Sequence, residues 1–451
     1  MKKYILGLIT ITGLLATSCR KYVEVDPLSN SRIIKYTTDY QDLLNNTSVF
    51  EYSYLYPLYS SDDAGIDNAT LQNSMLPQQY LTYQWADTRL GITDIDVDWE
   101  RLYKQIYTCN LVTDGVMSST GGTAVQKTAA LAVAKVHRAY AYLTLVNLYA
   151  APYNPATAAT DLGLPLLTTS SLYTSLKRAS VQDVYAQIIK DLTEALPDLP
   201  DLPVYNSDPS KAAAYALLAE ASLYKRDFAS AGSYADKVLA LKNTLTDLNT
   251  YAAAPSTLPK KLADPETIFS KLVSGNSYSS ITLSSDLLTL LGTSDLRYTL
   301  FTGNANPATY GKIYYRQNYT NEGVYIGPNV PEMMLIKAES AARAGDVSAA
   351  VNELNTLRKK RFKPADYVDL TATNAADALT LVINERRREL FGRGFRWFDM
   401  RRLNQDAAFA KTYTHTFKGT AYTLEPYSNR YTYAIGTYYI TLNPEIVQNP
   451  R

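Results

Sequence analysis

Residues 181–196 set apolar side chains at the interval of an α-helical turn. Val181, Val184, Tyr185, Ile188, Ile189, Leu192, Ala195 and Leu196 follow i, i+3, i+4, i+7, i+8 spacing. Ser180 and Asp183 supply a capping box at the start, and Pro197 closes the run. The same period recurs from about Asp98 to Met117, with Trp99, Leu102, Tyr103, Ile106, Cys109 and Val112 on one side. A third, Ala-rich segment runs from Val125 to Tyr149 and stops before Pro152. Small alanines let neighbouring helices approach closely, as stacked helical pairs require.

Two later stretches resemble each other. Residues 216–238 and 335–357 align at an offset of 119, with Ala219/Ala338, Glu220/Glu339, Asp227/Asp346 and Ala231/Ala350 in register. Each reads as a helix, a tight turn (Lys225-Arg226-Asp227 or Ala344-Gly345-Asp346) and a second helix. The expected fold is therefore mainly α: a tetratricopeptide-like scaffold of about four helix pairs, over roughly 98–242 and 331–361. Residues 50–95, 265–330 and 405–451 carry Ser, Thr, Asn, Gly and many aromatics without helical period. They are too long for plain connections and are expected as ordered loops and short strands packed on the helical frame. Long ordered loops on a rigid scaffold are where binding usually resides.

Composition excludes several kinds of chemistry. Lys+Arg is 44 against Asp+Glu 43, a net charge of +1 that becomes −1 without residues 1–18, which carry Lys2 and Lys3. Such a chain has no global field with which to attract nucleic acid. His137, His415, Cys19 and Cys109 are its whole stock of imidazoles and thiols, and none has metal-ligand spacing. No G-x-x-x-x-G-K-[ST] and no helix-opening G-x-G-x-x-G occurs, so neither a metal nor a nucleotide cofactor is expected. The abundance is tyrosine: 38, against ten Phe and three Trp. A tyrosine presents a flat apolar ring with a hydroxyl at its edge, suited to amphipathic ligands.

The start, MKKYILGLITITGLLATSC, has two lysines, a short apolar run and small residues before Cys19. It reads as a lipoprotein signal over 1–18 with Cys19 as the acylated anchor, followed by an extended tether over 19–35 and a single domain over 36–451. Several acyl chains would hold such a protein on a membrane durably. Residues 376–404 read as one helix rich in Arg and Trp. From Glu385 to Arg402 seven arginines alternate with three acids and with Leu390, Phe391, Phe395, Trp397 and Phe398. That alternation predicts a partly buried network of ion pairs and stacked rings rather than a nucleic-acid surface.

Together these segments resemble the SusD/RagB-like outer-membrane lipoproteins of Bacteroidetes. The likeness covers nearly the whole chain: the start with CRKYVEVDP, DWERLYKQIYTCN, AKVHRAYAYLTLVNLYAAP leading into LGLPLL, SVQDVYAQIIKDLTEALPDLP, SKAAAYALLAEASLY, PETIF, the LIKAESAARAGD unit, ERRRELFGRGFRWFDMRRL and NPEIVQNP. Where members commonly carry an acid and a His in the Gly-flanked stretch, this chain has Arg393 and Phe395. The resemblance implies a binding protein and not an enzyme. It would sit on the cell surface as a lid over a SusC-like, TonB-dependent transporter and capture an oligosaccharide or, in some branches, peptides.

A sugar ring is gripped by aromatic faces and by carboxylate, amide or Arg hydrogen bonds at its edge. Asp62, Asp63, Tyr83, Trp85 and Asp87 offer that mixture ahead of the first long helix; Tyr310, Tyr314, Tyr315, Arg316 and Tyr319 offer it again in the later loop segment. These ten are the expected ligand residues. Capture of a glycan, capture of a peptide and a purely structural adaptor remain open as readings. A glycosidase would need two acids about 5–9.5 Å apart across a sugar, which the adjacency of Asp62 and Asp63, or of Asp94, Asp96 and Asp98, does not supply.

Overall fold

The computed structural model describes residues 34–275 and 281–451. The expected signal segment, the Cys19 anchor and nearly all of the 19–35 tether lie outside the described residues. Nine helices form the frame: α1 (Val97–Gly115), α2 (Ala124–Tyr149), α3 (Val181–Ala195), α4 (Lys211–Tyr224), α5 (Phe228–Leu241), α6 (Val330–Arg343), α7 (Val347–Arg358), α8 (Ala375–Leu390) and α9 (Phe395–Leu403). From α1 to α8 each packs against the next in the chain. The mainly helical expectation holds.

Local chemistry sets the helix ends. Ser180 Oγ accepts from the Asp183 amide at 3.0 Å to start α3, and Val181, Val184, Tyr185, Ile188, Leu192 and Ala195 form its buried stripe. Each large aliphatic side chain in that stripe contributes about 1.5–3 kcal/mol by leaving water. Thr123 and Gln126 form a reciprocal capping box before α2. Asp96 caps α1 and pairs with the buried Arg89 at 2.9 Å.

The two similar units are both helix–turn–helix. Their turns carry a left-handed residue at the same register: Arg226 at φ 64° and Gly345 at φ 86°. The next residue in each, Asp227 or Asp346, caps the second helix. Between the units α5 meets α6 at Gly232, where an added Cβ would stand 2.4 Å from Ser340 Oγ. Small residues thus set the spacing of the stack.

The segment expected as one helix over 376–404 is divided. Gly392 (φ 70°) and Gly394 (φ 83°) turn the chain through the left-handed region, ending α8 and starting α9 in a new direction. An added Cβ at Gly394 would meet the Tyr54 ring at 2.7 Å. Five of the segment's seven arginines form ion pairs, as their alternation with apolar residues predicts, while Arg393 and Arg401 donate to backbone carbonyls. Arg386 joins Glu332 (2.8 Å) and Asp399 (3.0 Å), and Arg402 joins Glu339 (2.6 Å) and Asp399 (2.8 Å).

Strands are few and short. Among the described residues they form three antiparallel ribbons: β1 (Leu162–Pro165) with β2 (Arg178–Ser180), β3 (Thr302–Asn304) with β4 (Lys312–Tyr314), and β5 (Tyr413–Phe417) with β6 (Thr420–Leu424). Lys418 (φ 50°) and Gly419 (φ 79°) make the two-residue turn of the last hairpin. The C-terminal segment then returns to the long helix: the Tyr433 amide donates to Leu148 O at 2.9 Å, and Asn449 Nδ2 to Tyr149 O at 2.8 Å. Trp397 stacks between Tyr431 (5.7 Å) and Tyr433 (5.6 Å) in the main core. No helix among the described residues is long and apolar enough to cross a membrane.

Candidate ligand-binding cleft

A polar cleft of about 380 Å³ opens beside the short helix Arg316–Thr320. That volume lies in the range of small-molecule sites. One wall carries Gln317, Asn318, Asn321 and Glu322; the facing wall carries Tyr52, Leu272 and Val273. The helix is held at both ends. Gln317 Nε2 donates to Tyr314 O at 2.8 Å, and Asn321, left-handed at φ 57°, returns its amide to Gln317 O at 2.7 Å. Glu322 Oε2 accepts from the Lys261 amide at 2.7 Å and from the Tyr325 hydroxyl, which fixes the carboxylate at the rim.

Opposite, the extended chain at 51–53 is pinned by backbone bonds to Leu272: the Leu272 amide donates to Glu51 O (2.8 Å) and the Ser53 amide to Leu272 O (2.9 Å). The Arg101 guanidinium lies over the Tyr52 ring at 5.3 Å. The cleft therefore combines neutral amides, one oriented carboxylate and an aromatic ring on a rigid frame. Amides and a carboxylate satisfy vicinal hydroxyls as donors and acceptors, and the ring covers an apolar C–H face.

The sequence-predicted residues fall into three groups. Asp62 and Asp63 are joined through arginines: Arg396 meets Asp62 at 2.6 Å, and Arg387 meets Asp63 at 2.7 Å and Asp62 at 3.4 Å. Burial pushes Asp62 up, but Arg396 and Arg387 outweigh it and hold the carboxyl below the usual range. For Asp63 burial wins over Arg387 and the pKa rises. Asp63 and Tyr314 line one cavity of only about 20 Å³, room for a single water and not for a sugar ring.

Tyr83 and Trp85 are brought together around His415. Its imidazole lies 4.0 Å from the Tyr83 ring and 4.2 Å from the Trp85 ring, both nearly parallel to it. His415 Nδ1 donates to Tyr83 O at 2.7 Å, Trp85 Nε1 donates to Ser60 O at 2.8 Å, and burial lowers His415 to about 4. Both rings are fully committed to packing. Asp87 stands apart, exposed, paired with Arg430 at 2.9 Å.

The later group surrounds the cleft's helix. Tyr315 and Tyr319 pack edge to face at 5.3 Å, and Tyr314 packs on Phe391 at 5.4 Å. Arg316 is bound to Asp264 at 2.6 Å, and Tyr310 lies half-buried against the core. The structure does not bring Trp85 and the 310–319 tyrosines onto one concave face. The sequence pattern does not mark the cleft residues Tyr52, Gln317, Asn318, Asn321 and Glu322. The run QNYTNEG, four of its seven residues amide or acid, was the available signal. Among the described residues no group of three or more His, Cys, Asp or Glu could hold a metal ion.

The helical stack, the loop-built cleft and the buried arginine segment define a binding scaffold. Residues 21–223 match a family model described as starch-binding associating with outer membrane (SusD-like), and residues 330–451 match the model of the SusD family (SusD/RagB). The chain belongs to the SusD/RagB-like family, a family of binding proteins associated with the outer membrane. A SusD superfamily protein from Bacteroides thetaiotaomicron superposes with a TM-score of 0.75 at 20% identity, over 92% of this chain and 100% of that one. A SusD-like carbohydrate binding protein from Bacteroides vulgatus does so with 0.69 at 21%, over 91% and 97%. These likenesses show the fold. SusD-like protein P38 of Formosa agariphila is 33% identical over 79 residues, a match spanning 16% of this chain and 16% of that protein.

Proposed function

We propose that the protein captures an oligosaccharide at the cell surface and passes it to a SusC-like, TonB-dependent outer-membrane transporter without breaking a bond. The observation that carries this reading is the 380 Å³ cleft of Tyr52, Gln317, Asn318, Asn321 and Glu322, in which amides, a carboxylate and a ring converge on a rigid frame. Family membership supports a binding role and the outer-membrane setting. The lysine-led apolar start followed by Cys19 supports a lipid anchor. The tyrosines Tyr315 and Tyr319 and the Arg316 guanidinium, on or beside the cleft's helix, serve as its support.

Isothermal titration against a panel of glycans tests the reading. At least one glycan binds in the micromolar range, and Tyr52→Ala and Asn318→Ala each weaken it by about tenfold, or ~1.4 kcal/mol. No reducing sugar is released. A panel without heat, or heat indifferent to both substitutions, overturns the assignment.

A further inference from the structure

A second, larger concavity lies across the Glu51–Lys261 ion pair from the polar cleft. Glu51 and Lys261 line it, while Tyr52 and Glu322, to which the Lys261 amide donates, line the cleft. This groove encloses about 800 Å³ between the short helices Thr37–Leu44 and Thr47–Phe50, α2 and the 200–209 loop. Its walls are mostly apolar: Leu44, Phe50, Val133, Val204, Tyr205 and Leu262. Val204 is 88% exposed, Tyr205 55% and Leu262 52%, so the rim leaves much apolar surface in water.

Asn45, Thr47, Ser207, Asp208 and the Glu51–Lys261 pair also line it, and two further polar side chains are buried among the apolar ones. Ser270 Oγ is buried, with no partner among the described residues. His137 is 3% exposed and stacks on Phe50 at 4.2 Å. Its Nδ1 faces Lys271 Nζ at 3.2 Å. Nζ donates to Phe50 O at 2.6 Å as well, so the imidazole accepts at Nδ1 and carries its proton on Nε2. Nε2 has no protein partner among the described residues, and His137 lines the groove.

Behind the imidazole stands a cation without a counter-charge. Lys271 is 1% exposed, its Nζ lies 4.3 Å from the Phe269 ring centroid and 5.0 Å from that of Tyr140, and no carboxylate pairs with it among the described residues. In the α8–α9 segment Arg386, Arg387, Arg388, Arg396 and Arg402 each meet a carboxylate, whereas Arg393 and Arg401, like Lys271, meet backbone carbonyls. Burial lowers Lys271 to about 7, and burial together with the Lys271 charge holds His137 well below its usual range. An anion hydrogen-bonded to Nε2 would complete the series ammonium–imidazole–anion and supply the missing charge in a low-dielectric setting.

We propose that this groove is a second binding site, for an apolar molecule carrying a carboxylate: the carboxylate accepts from His137 Nε2 and Ser270 Oγ, with Lys271 behind, and the tail lies along Val133, Val204 and Leu262. The site is independent of the glycan reading. A fatty acid supplies this chemistry, so dodecanoate is the probe and dodecan-1-ol its uncharged counterpart, each titrated into the mature chain by calorimetry.

Dodecanoate is expected to bind at least about tenfold tighter than dodecan-1-ol, which corresponds to ~1.4 kcal/mol. His137→Phe, which keeps the ring stack and removes the donor, should erase that difference. Val204→Asp, at the exposed rim, puts a like charge beside the tail and should weaken dodecanoate by a similar factor even if the buried variant fails to fold. Tyr52→Ala should leave it unchanged, which separates failure here from failure of the glycan cleft. Equal affinity for acid and alcohol, no binding of either, or indifference to Val204→Asp overturns the proposal.

Discussion

Arg297 Nη2 donates to Glu385 Oε1 at 2.6 Å, with both side chains wholly buried. Glu385 also receives Arg358 at 2.9 Å and Arg388 at 3.2 Å, and Arg297 reaches Asp295 and Glu389 at 2.6 Å each. The pair ties the loop-borne helix Leu296–Phe301 to α8. Neutralising Glu385 leaves Arg358 and Arg388 without a carboxylate partner, while Arg297 keeps Asp295 and Glu389. Glu385→Gln should therefore cost about 3–5 kcal/mol, read as a fall in the urea midpoint at unchanged slope.

The same carboxylate sets an acid limit. Burial would raise Glu385, but Arg297, Arg358 and Arg388 hold it at about 2, below the ~4.3 of an unfolded glutamate. The sign follows: the folded state releases the proton more readily, so the stabilisation is complete above about pH 4.3 and disappears as pH falls through about 2. Its size is of order 3 kcal/mol. Glu385→Gln should flatten the loss of stability between pH 4.5 and 2 relative to the parent, as measured by denaturant titration at each pH. Parallel curves would contradict it.

Arg226 occupies the left-handed position that Gly345 fills in the sister unit. Its side chain holds Asp406 at 2.5 Å and the Arg402 carbonyl at 3.3 Å. Arg226→Ala removes the ion pair and keeps a Cβ at φ 64°; Arg226→Gly removes both. The glycine variant should be the more stable of the two by about 1 kcal/mol. Gly345→Ala should lose a similar amount. Thermal unfolding of the three proteins side by side checks the order.

Trp85 at φ 51° holds its indole against His415 and its N–H on Ser60 O. Trp85→Ala should lower stability by about 3–5 kcal/mol through the cavity it leaves. Where the variant is still folded, its glycan affinity should stay within about twofold of the parent. A tenfold loss of affinity in folded protein would return Trp85 to the ligand surface.

Features repeated along neighbouring residues were legible in the sequence. The 3.6-residue period of Val181–Leu196 with its Ser180 cap, and the 119-residue offset of the paired units down to Asp227 and Asp346, are written within short windows. The alternation of arginines with Phe395, Trp397 and Phe398 announced a buried network. It did not reveal the break at Gly392–Gly394, whose glycines fit equally well as close-packing positions. The ligand surface was far less legible. Tyr83 and Trp85 are removed from solvent by His415, more than 300 residues away, and Asp62 is claimed by Arg396 across 334. Whether a ring is a floor tile or a wall stud depends on such distant partners. The amides of 317–321 are neutral side chains with no charge or period to mark them in the sequence.

The carbonyl of Tyr149, at the end of the 26-residue helix α2, accepts from Arg178 Nη2 at 3.1 Å and from Asn449 Nδ2 at 2.8 Å, 29 and 300 residues downstream. The end of the long helix thus gains its first side-chain donor from the ribbon that follows it and its second only from the last residues of the chain. A chain cut short of Asn449 would keep the earlier clasp and lose the later one, so its longest rod would loosen at one end without coming free.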